Sequence, residues 1–285
     1  FPFIIAAPRF FSGAIQLGQL MQIASAFNQV QDSLSWIVNN YSDIAAWRAT
    51  TRRLASFEAG LRAQAQAQGP SLEAADHLQT QGLQVALPGG RVVIEDAALQ
   101  LAAGQDVLIS GRSGSGKSTL LRSLAGIWPF ARGRVQRPLD SMFIAQRPYF
   151  PDGSLRQALA YPQPASDYGD GQLQAALRAA QLAPLMERLD EVAAWNAVLS
   201  GGEQQRLAIA RVLLKRPAWV FADEATSALD QATEAEVYAQ LVQLVRERGG
   251  SLVSVAHRDS VQAFHRGRWQ LDPAQRAVVP GSVTR

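Results

Sequence analysis

The sequence predicts an α/β fold in which a mostly parallel sheet is flanked by helices. After residue 70, short apolar segments alternate with helical patterns, as they do in such sheets. A glycine-rich loop at residues 111–118 follows one apolar segment and opens a helical pattern. Another apolar segment, residues 219–222, ends in two adjacent carboxylates. Both motifs therefore lie at the ends of predicted strands.

The composition indicates a folded protein with one large or two modest domains. The chain has 285 residues, of which 47% are hydrophobic and 18% are charged. It contains no cysteine, which excludes disulfides, thiolate zinc sites and cysteine nucleophiles. The net charge of +3 is small, and no dense basic segment with interleaved aromatics occurs, so we expect no nucleic-acid partner. Because the chain opens without a methionine or a signal-peptide pattern, we expect the C-terminal part of a longer protein.

The first 62 residues predict the C-terminal end of a transmembrane domain. Residues 10–31 carry no charge and are long enough to cross a bilayer, which takes about 20 residues, although their glutamines weaken the hydropathy signal. No proline or glycine lies between Gly18 and Gly60, which predicts one long helix of the transmembrane type. Arg48, Arg52 and Arg53 follow the apolar part and place that end in the cytoplasm.

Low-complexity sequence at residues 63–70 ends in a Gly-Pro dipeptide and marks a linker. We therefore divide the chain into residues 1–62, a linker at 63–82 and a nucleotide-binding domain at 83–285. The predicted strands of that domain are residues 83–87, 92–95, 106–110, 141–145, 218–222 and 251–255.

The glycine-rich loop matches the P-loop pattern G-x-x-x-x-G-K-[ST] and predicts nucleotide binding by a P-loop NTPase. Glycines allow backbone N–H groups to surround phosphate oxygens, and the following helix adds a positive dipole. Lys117 supplies a charge to the β- and γ-phosphates, and Ser118 offers a hydroxyl to Mg²⁺. The expected ATP contacts of the loop are Gly111, Arg112, Ser113, Gly114, Ser115, Gly116, Lys117, Ser118 and Thr119.

The two adjacent carboxylates predict hydrolysis. Asp223, at the strand end, can hold a Mg²⁺-bound water, and Glu224 can polarise the attacking water as a general base. Together with the P-loop upstream, this pair predicts an ATPase that uses MgATP.

Between these motifs lies the segment Leu-Ser-Gly-Gly-Glu-Gln-Gln-Arg at residues 199–206. With it, the chain from about Leu83 onwards resembles the nucleotide-binding domain of an ABC transporter. The resemblance implies a P-loop ATPase with a helical subdomain, in which two copies meet head to tail. Ser200, Gly201 and Gly202 would contact the γ-phosphate held by the partner copy. Glu203 replaces the commoner glutamine of this signature, a familiar variant that we expect to weaken nothing.

The same resemblance assigns three further residues. Gln146 corresponds to the glutamine that reaches Mg²⁺ and the attacking water, so the expected metal ligands are Ser118, Gln146 and Asp223. Asp230 corresponds to the aspartate that organises the dimer interface. His257 corresponds to the histidine that binds the γ-phosphate, so Glu224, His257 and Gln146 form the expected catalytic set. His77 and His265 have no such context, and we expect both to be exposed.

One departure concerns adenine, which many relatives stack on an aromatic side chain upstream of the P-loop. Here the corresponding segment is Val-Ala-Leu-Pro at residues 85–88, and we expect Leu87 or Val85 to pack against the base. Losing the aromatic contact is worth about 1 kcal/mol. This loss affects base affinity and not the phosphate chemistry.

The N-terminal 60 residues resemble the last membrane helix of an exporter-fold branch. That branch includes the subfamily D fatty-acyl half-transporters and bacterial fused permease/ATPases related to peptide and cobalamin uptake. The matching segments are residues 17–27, 34–36 and 52–57, supported by Trp195 and residues 146–149. The resemblance implies a homodimeric half-transporter in the inner membrane that moves an unknown substrate, with its ATPase domain in the cytoplasm.

Two alternatives stay open at this point. A soluble ABC ATPase acting on nucleic acid, the ribosome or a separate permease would use the N-terminal segment as a buried amphipathic helix. A binding module that does not turn over ATP is disfavoured by the presence of Glu224 and His257.

Overall fold

A computed structural model describes residues 2–66, 69–256 and 258–282. The chain forms two compact units, Phe1–Gln66 and Ala67–Arg285. The first unit is helical and the second combines helices with sheets.

The first unit consists of three described helices, α1 (Pro2–Phe11), α2 (Leu17–Asn39) and α3 (Tyr41–Gln66). The prediction of one long helix from Gly18 to Gly60 is therefore wrong, because the helix is interrupted at Asn40. The Asn40 side chain donates to the Trp36 carbonyl at 2.8 Å, which offers the backbone a local alternative to continuing the helix. None of the described helices combines the length and the apolar character that crossing a bilayer requires.

The helices of the first unit expose many large apolar side chains. On α2 these include Met21, Val30 and Leu34, and on α3 they include Trp47 and Phe57. Apolar side chains exposed in such number usually contact another protein or a lipid phase.

Thirteen described strands build the sheets of the second unit. They are β1 (Ser71–Ala74), β2 (Leu78–Ala86), β3 (Val92–Ala97), β4 (Gln100–Leu101), β5 (Val107–Ser110), β6 (Ala131–Arg137), β7 (Ser141–Ile144), β8 (Gly153–Ser154), β9 (Val192–Ala193), β10 (Trp219–Asp223), β11 (Ser251–Val255), β12 (Gly267–Asp272) and β13 (Ala277–Ser282).

The largest described sheet has six strands in the order β13-β12-β5-β11-β10-β7. All its neighbours are parallel except β12 and β13, which form an antiparallel pair. Every residue of β5, β10 and β11 is buried, as expected for a parallel sheet covered on both faces. A second sheet has the order β1-β6-β2-β3, with β4 paired to β2.

Six described helices accompany these sheets. They are α4 (Lys117–Leu124), α5 (Leu155–Ala160), α6 (Asp170–Ala179), α7 (Trp195–Val198), α8 (Gly201–Lys215) and α9 (Gln231–Glu247). One apolar cluster joins α5, α6, α8 and α9 to the central strands, and a second joins α4 to the two main sheets. The mixed α/β fold is thus confirmed.

The segment predicted as linker, residues 63–82, contains regular secondary structure. Helix α3 extends to Gln66, residues 71–74 form β1, and β2 begins at Leu78, so about half of the segment's C-terminal part belongs to the sheet. β1 pairs in parallel with β6, which lies about 60 residues further along the chain, as in the pair Leu72 and Val135. A local pattern cannot reveal a strand whose partner is so distant.

His265 is buried, so the expectation that it is exposed is wrong. Its Nδ1 lies 2.9 Å from the Val261 carbonyl, and its Nε2 has no hydrogen-bond partner among the described residues. Burial lowers the pKa of His265, while the Val261 contact and the charge of Asp106 act in the opposite direction. The native ring is therefore neutral near pH 7.

We expect acid to destabilise the fold through His265. Because its pKa is lower in the native state, the native state binds fewer protons than the unfolded state. The stabilisation is complete above about pH 6.5, the unfolded value, and is lost as the pH falls, by at most about 1.4 kcal/mol per pH unit. Urea unfolding between pH 5 and 8 measures this slope. The slope should decrease in His265→Leu and persist in the control His77→Gln; equal slopes in the parent and His265→Leu contradict the prediction.

Candidate functional site

The P-loop connects β5 to α4, and its backbone requires glycine. Gly111, Gly114 and Gly116 have φ angles of +147°, +74° and +98°, which L side chains rarely adopt. A Cβ on Gly111 would lie 3.0 Å from the Leu271 carbonyl oxygen. The loop therefore turns tightly into the N-terminus of α4, whose first amides have no helical partner.

Next to this turn is a cavity of about 270 Å³. Its lining residues are Leu87, Val93, Ser113, Gly114, Gly116, Lys117, Ser118, Thr119 and Glu224. Ser115 is not among these lining residues, and its buried hydroxyl has no hydrogen-bond partner among the described residues. Lys117 and the helix N-terminus at the cavity suit a phosphate group, so the lining residues fit a nucleotide triphosphate.

Lys117 lies folded across the loop. Its Nζ donates to the carbonyl oxygens of Gly111 and Arg112, each at 3.0 Å. Burial lowers the pKa of Lys117, and the charges of Glu224 and Asp223 partly offset that effect. An ammonium group has three N–H donors, so the third N–H of Lys117 can donate to an anion in the cavity.

Asp223 is fully buried at the end of β10 and is held by two side chains from α4. The Ser118 hydroxyl donates to its Oδ1 at 2.6 Å, and Arg122 Nη2 donates to its Oδ2 at 3.1 Å. Burial raises the pKa of Asp223, whereas the Ser118 hydrogen bond and the Arg122 charge lower it. Two of the three residues predicted as metal ligands, Ser118 and Asp223, are therefore in direct contact.

Glu224 follows in a left-handed conformation, with a φ of +48°. Its backbone N–H donates to the Val255 carbonyl at 2.9 Å, so the turn is tied to β11. Gln146, which follows β7, donates from Nε2 to Glu224 Oε2 at 2.7 Å. The structure thus brings together the predicted general base and the predicted water-sensing glutamine.

The signature segment begins α8. Ser200 is the N-cap of that helix and forms a reciprocal capping box with Glu203. A Cβ on Gly202 would lie 3.4 Å from the Ala228 carbonyl oxygen, so a larger residue would crowd the loop after β10. Ser200 and Gly201 are exposed, and neither lines the P-loop cavity.

The remaining predicted residues take different positions. Asp230 caps α9 by accepting from Thr233 N at 3.0 Å and from the Thr233 hydroxyl at 2.7 Å. Val85 is buried in the core, whereas Leu87 lines the cavity, so Leu87 is the one of the two candidates placed to meet a base. His257 lies outside the described residues.

Arg122 is the site residue that the sequence reasoning missed. It lies four positions after Ser118, on the same face of α4, where both side chains reach Asp223. That spacing is the signal that could have identified it.

The comparisons with known proteins match both parts of the chain. Residues 94–227 match the family described as ABC transporter, and residues 1–62 match the SbmA/BacA-like family.

Among relatives, an uncharacterized ABC transporter ATP-binding protein of Synechocystis is 38% identical over 95% of this chain and 44% of its own length. ABC transporter D family member 2 of Arabidopsis thaliana is 29% identical over 96% of this chain and 49% of its own length. The solved structure of a bacterial Atm1-family ABC exporter with ATP bound matches with a TM-score of 0.64 at 26% identity. That match covers 75% of this chain and 40% of the exporter chain. The chain thus spans about half the length of these relatives.

We expect Arg122→Met to destabilise the protein, because Asp223 would keep a buried charge with Ser118 as its remaining partner. Removing one member of a buried pair costs about 3–5 kcal/mol, and the partial exposure of Arg122 reduces our expectation to about 1–3 kcal/mol. Urea unfolding in the presence of a chelator measures the loss.

The control is Arg134→Met, which breaks an exposed pair with Glu73 and should cost less than about 1 kcal/mol. Adding Asp223→Asn to Arg122→Met should recover part of the stability. A loss no larger than that of the control contradicts the role assigned to Arg122.

Proposed function

The chain belongs to the ABC transporter family, and on that premise we propose that it is the ATP-hydrolysing part of a half-transporter. In this proposal residues 1–62 end a membrane domain and the sheet-containing unit binds MgATP. Binding and hydrolysis of ATP drive translocation of a substrate across a membrane. This function is that of a whole protein. The relatives described above are about twice as long as this chain.

The observation that carries the proposal is the contact between Ser118 and Asp223 beside the P-loop cavity. Mg²⁺ prefers oxygen ligands and is usually held by one or two carboxylates together with substrate phosphates. The Ser118 hydroxyl and the Asp223 carboxylate, 2.6 Å apart, would supply such oxygen ligands. Gln146 is hydrogen-bonded to Glu224, the residue next to Asp223. When bound, Mg²⁺ would neutralise charge on the phosphate oxygens.

The protein groups around this site support hydrolysis. Lys117 offers a positive charge to the phosphates, and Glu224 is placed at the cavity to accept a proton from the attacking water. Gln146 orients Glu224 by donating to its Oε2. His257 completes the proposed catalytic set as a contact to the γ-phosphate.

The exposed signature supports a head-to-tail homodimer. Gly201 begins α8, whose N-terminal amides attract anions, yet neither Ser200 nor Gly201 lines the P-loop cavity of its own chain. In the proposed dimer each signature meets the ATP held by the other copy. Asp230 and the loop before it would lie at the interface.

The N-terminal unit supports attachment to a membrane domain. Its residues match the SbmA/BacA-like family, and its helices expose large apolar side chains. We assign the full-length protein to the cell inner membrane, with several membrane helices and a cytoplasmic ATPase domain.

The first test is ATP turnover by the chain and by Glu224→Gln. Replacing the carboxylate with an amide removes the proton acceptor and keeps its shape, so hydrolysis should fall by about 10²–10⁴-fold while ATP still binds. A phosphate-release assay measures turnover, and light scattering measures the mass of the complex. Glu224→Gln with ATP should accumulate as a dimer that the parent does not accumulate.

Glu247→Gln, at the far end of α9, serves as the control and should hydrolyse ATP like the parent. Turnover by Glu224→Gln at the parental rate contradicts the role of Glu224. A protein that stays monomeric with ATP in both forms contradicts the composite site.

The second test separates the transporter from a soluble ABC ATPase. Full-length protein expressed in cells should sediment with membranes and resist extraction by carbonate, because exposed apolar helices are stable in a lipid phase. Detergent should release it. Recovery in the supernatant without detergent contradicts the membrane assignment and favours the soluble ATPase.

A further inference from the structure

The capping box of α8 places a carboxylate on the hydroxyl that the proposed dimer uses. Glu203 Oε2 accepts from Ser200 N at 2.9 Å and from Ser200 Oγ at 2.7 Å. The return contact, from Glu203 N to Ser200 Oγ, is 3.4 Å and therefore weaker. The hydroxyl proton of Ser200 thus points to Glu203.

A serine hydroxyl has one proton to donate. While that proton is shared with Glu203, Ser200 presents only lone pairs to an approaching phosphate oxygen, which also carries lone pairs. For Ser200 to donate to a γ-phosphate, its hydroxyl must leave Glu203. The carboxylate and the phosphate therefore compete for the same proton.

Glu203 also keeps a negative charge at this position. The hydrogen bonds from the Ser200 hydroxyl and backbone hold the pKa of Glu203 below its usual value. No lysine or arginine nitrogen of the described residues forms an ion pair with it within 4.0 Å. The two nearby arginines bind elsewhere: Arg188 pairs with Glu191 at 2.6 Å, and Arg206 donates to the Gln181 carbonyl at 2.9 Å.

We propose that Glu203 weakens ATP-driven dimerisation by retaining the Ser200 hydroxyl and by placing a carboxylate beside the partner's triphosphate. This inference rests on the proposed head-to-tail dimer. It differs from the expectation, drawn from the sequence, that glutamate in place of the commoner glutamine weakens nothing. Glu203 thus sets the ATP concentration at which two copies of the chain dimerise.

Replacing Glu203 with glutamine distinguishes the effect of its negative charge from its effect as a helix cap. Both glutamate and glutamine serve at the third position of a capping box, because an amide oxygen also accepts from the N-cap backbone N–H. Glu203→Gln therefore keeps the helix start and removes the negative charge. Each dimer contains two signatures, so two repulsions disappear together.

The experiment titrates ATP against the complete chain carrying Glu224→Gln, with and without Glu203→Gln, and measures the dimer fraction by light scattering. We expect the double variant to reach half-maximal dimerisation at about tenfold lower ATP. The difference should shrink between 0.05 and 0.5 M NaCl, because salt screens the repulsion. A role limited to capping would leave the two titrations equally sensitive to salt.

The control is Glu247→Gln in the same Glu224→Gln background. Glu247 is the last residue of α9 and lies about 24 Å along the helix from its first residue, Gln231. It should leave the ATP titration unchanged. Urea unfolding should show that Glu203→Gln keeps the parental stability, whereas Glu203→Ala, which also removes the cap, should unfold at lower urea.

Each outcome decides between the claims. Tighter dimerisation in Glu203→Gln that weakens with salt supports the inference. An unchanged or higher ATP requirement overturns the inference and leaves the proposed dimer intact. Failure of the Glu224→Gln chain to dimerise at any ATP concentration overturns the composite site and the inference with it.

Discussion

The hydrogen bond from Ser118 to Asp223 joins two segments that lie 105 residues apart, and the site depends on it. Strand β11 separates β5 from β10, and Val255 is the register partner of both Ile109 and Asp223. The ends of β5 and β10 are therefore level, about 10 Å apart across two strand spacings. The P-loop and the first turn of α4 cross that gap, which lets a helix side chain reach a buried carboxylate on another strand.

Burial of Asp223 imposes a second constraint on the same elements. An ionised carboxylate without access to water needs charge and hydrogen bonds from the protein. Ser118 and Arg122 provide both from one face of α4, so the helix that presents the P-loop amides also stabilises the strand end. Val255 adds a third tie by accepting from Glu224 N. The phosphate-binding and carboxylate groups are consequently held as one rigid arrangement.

The sequence predicted the parts of this arrangement that depend on local chemistry. The P-loop needs glycines and a lysine in fixed order, and the strands at 141–145, 218–222 and 251–255 are short apolar segments, so both were predicted close to their observed positions. β6 was missed because its sequence, Ala-Arg-Gly-Arg-Val-Gln-Arg, is mostly polar, and its pairing with β1 and β2 decides its conformation.

The wrong or missing predictions for Arg122, His265 and Asn40 have causes similar to the one that hid β6. Arg122 has no place in a motif, and its importance appears only when the fold brings Asp223 to it. His265 was expected at the surface because its sequence context gives no sign of its ring contact with Tyr238 of α9, at a centroid distance of 6.1 Å. At the break between α2 and α3, the Asn40 side chain donates to the Trp36 carbonyl, a local contact that no helical periodicity predicts. These features follow from tertiary contacts or from small local energy differences.

Helix α8 connects the signature to Glu224 and the loop after β10 through directional contacts. Gln205 donates to the Glu224 carbonyl at 3.3 Å and accepts from Ala228 N at 2.9 Å. Further along, Arg211 donates to the Tyr149 carbonyl at 3.2 Å and lies over the Phe150 ring at 4.8 Å.

Burial lowers the pKa of Arg211 to about 10, so the group still carries its charge at neutral pH and needs those carbonyl oxygens. Apolar packing alone tolerates shifts between helices, whereas a buried cation bound to fixed carbonyls does not. These contacts of Arg211 therefore fix α8, which begins at the signature, against the segment after Gln146.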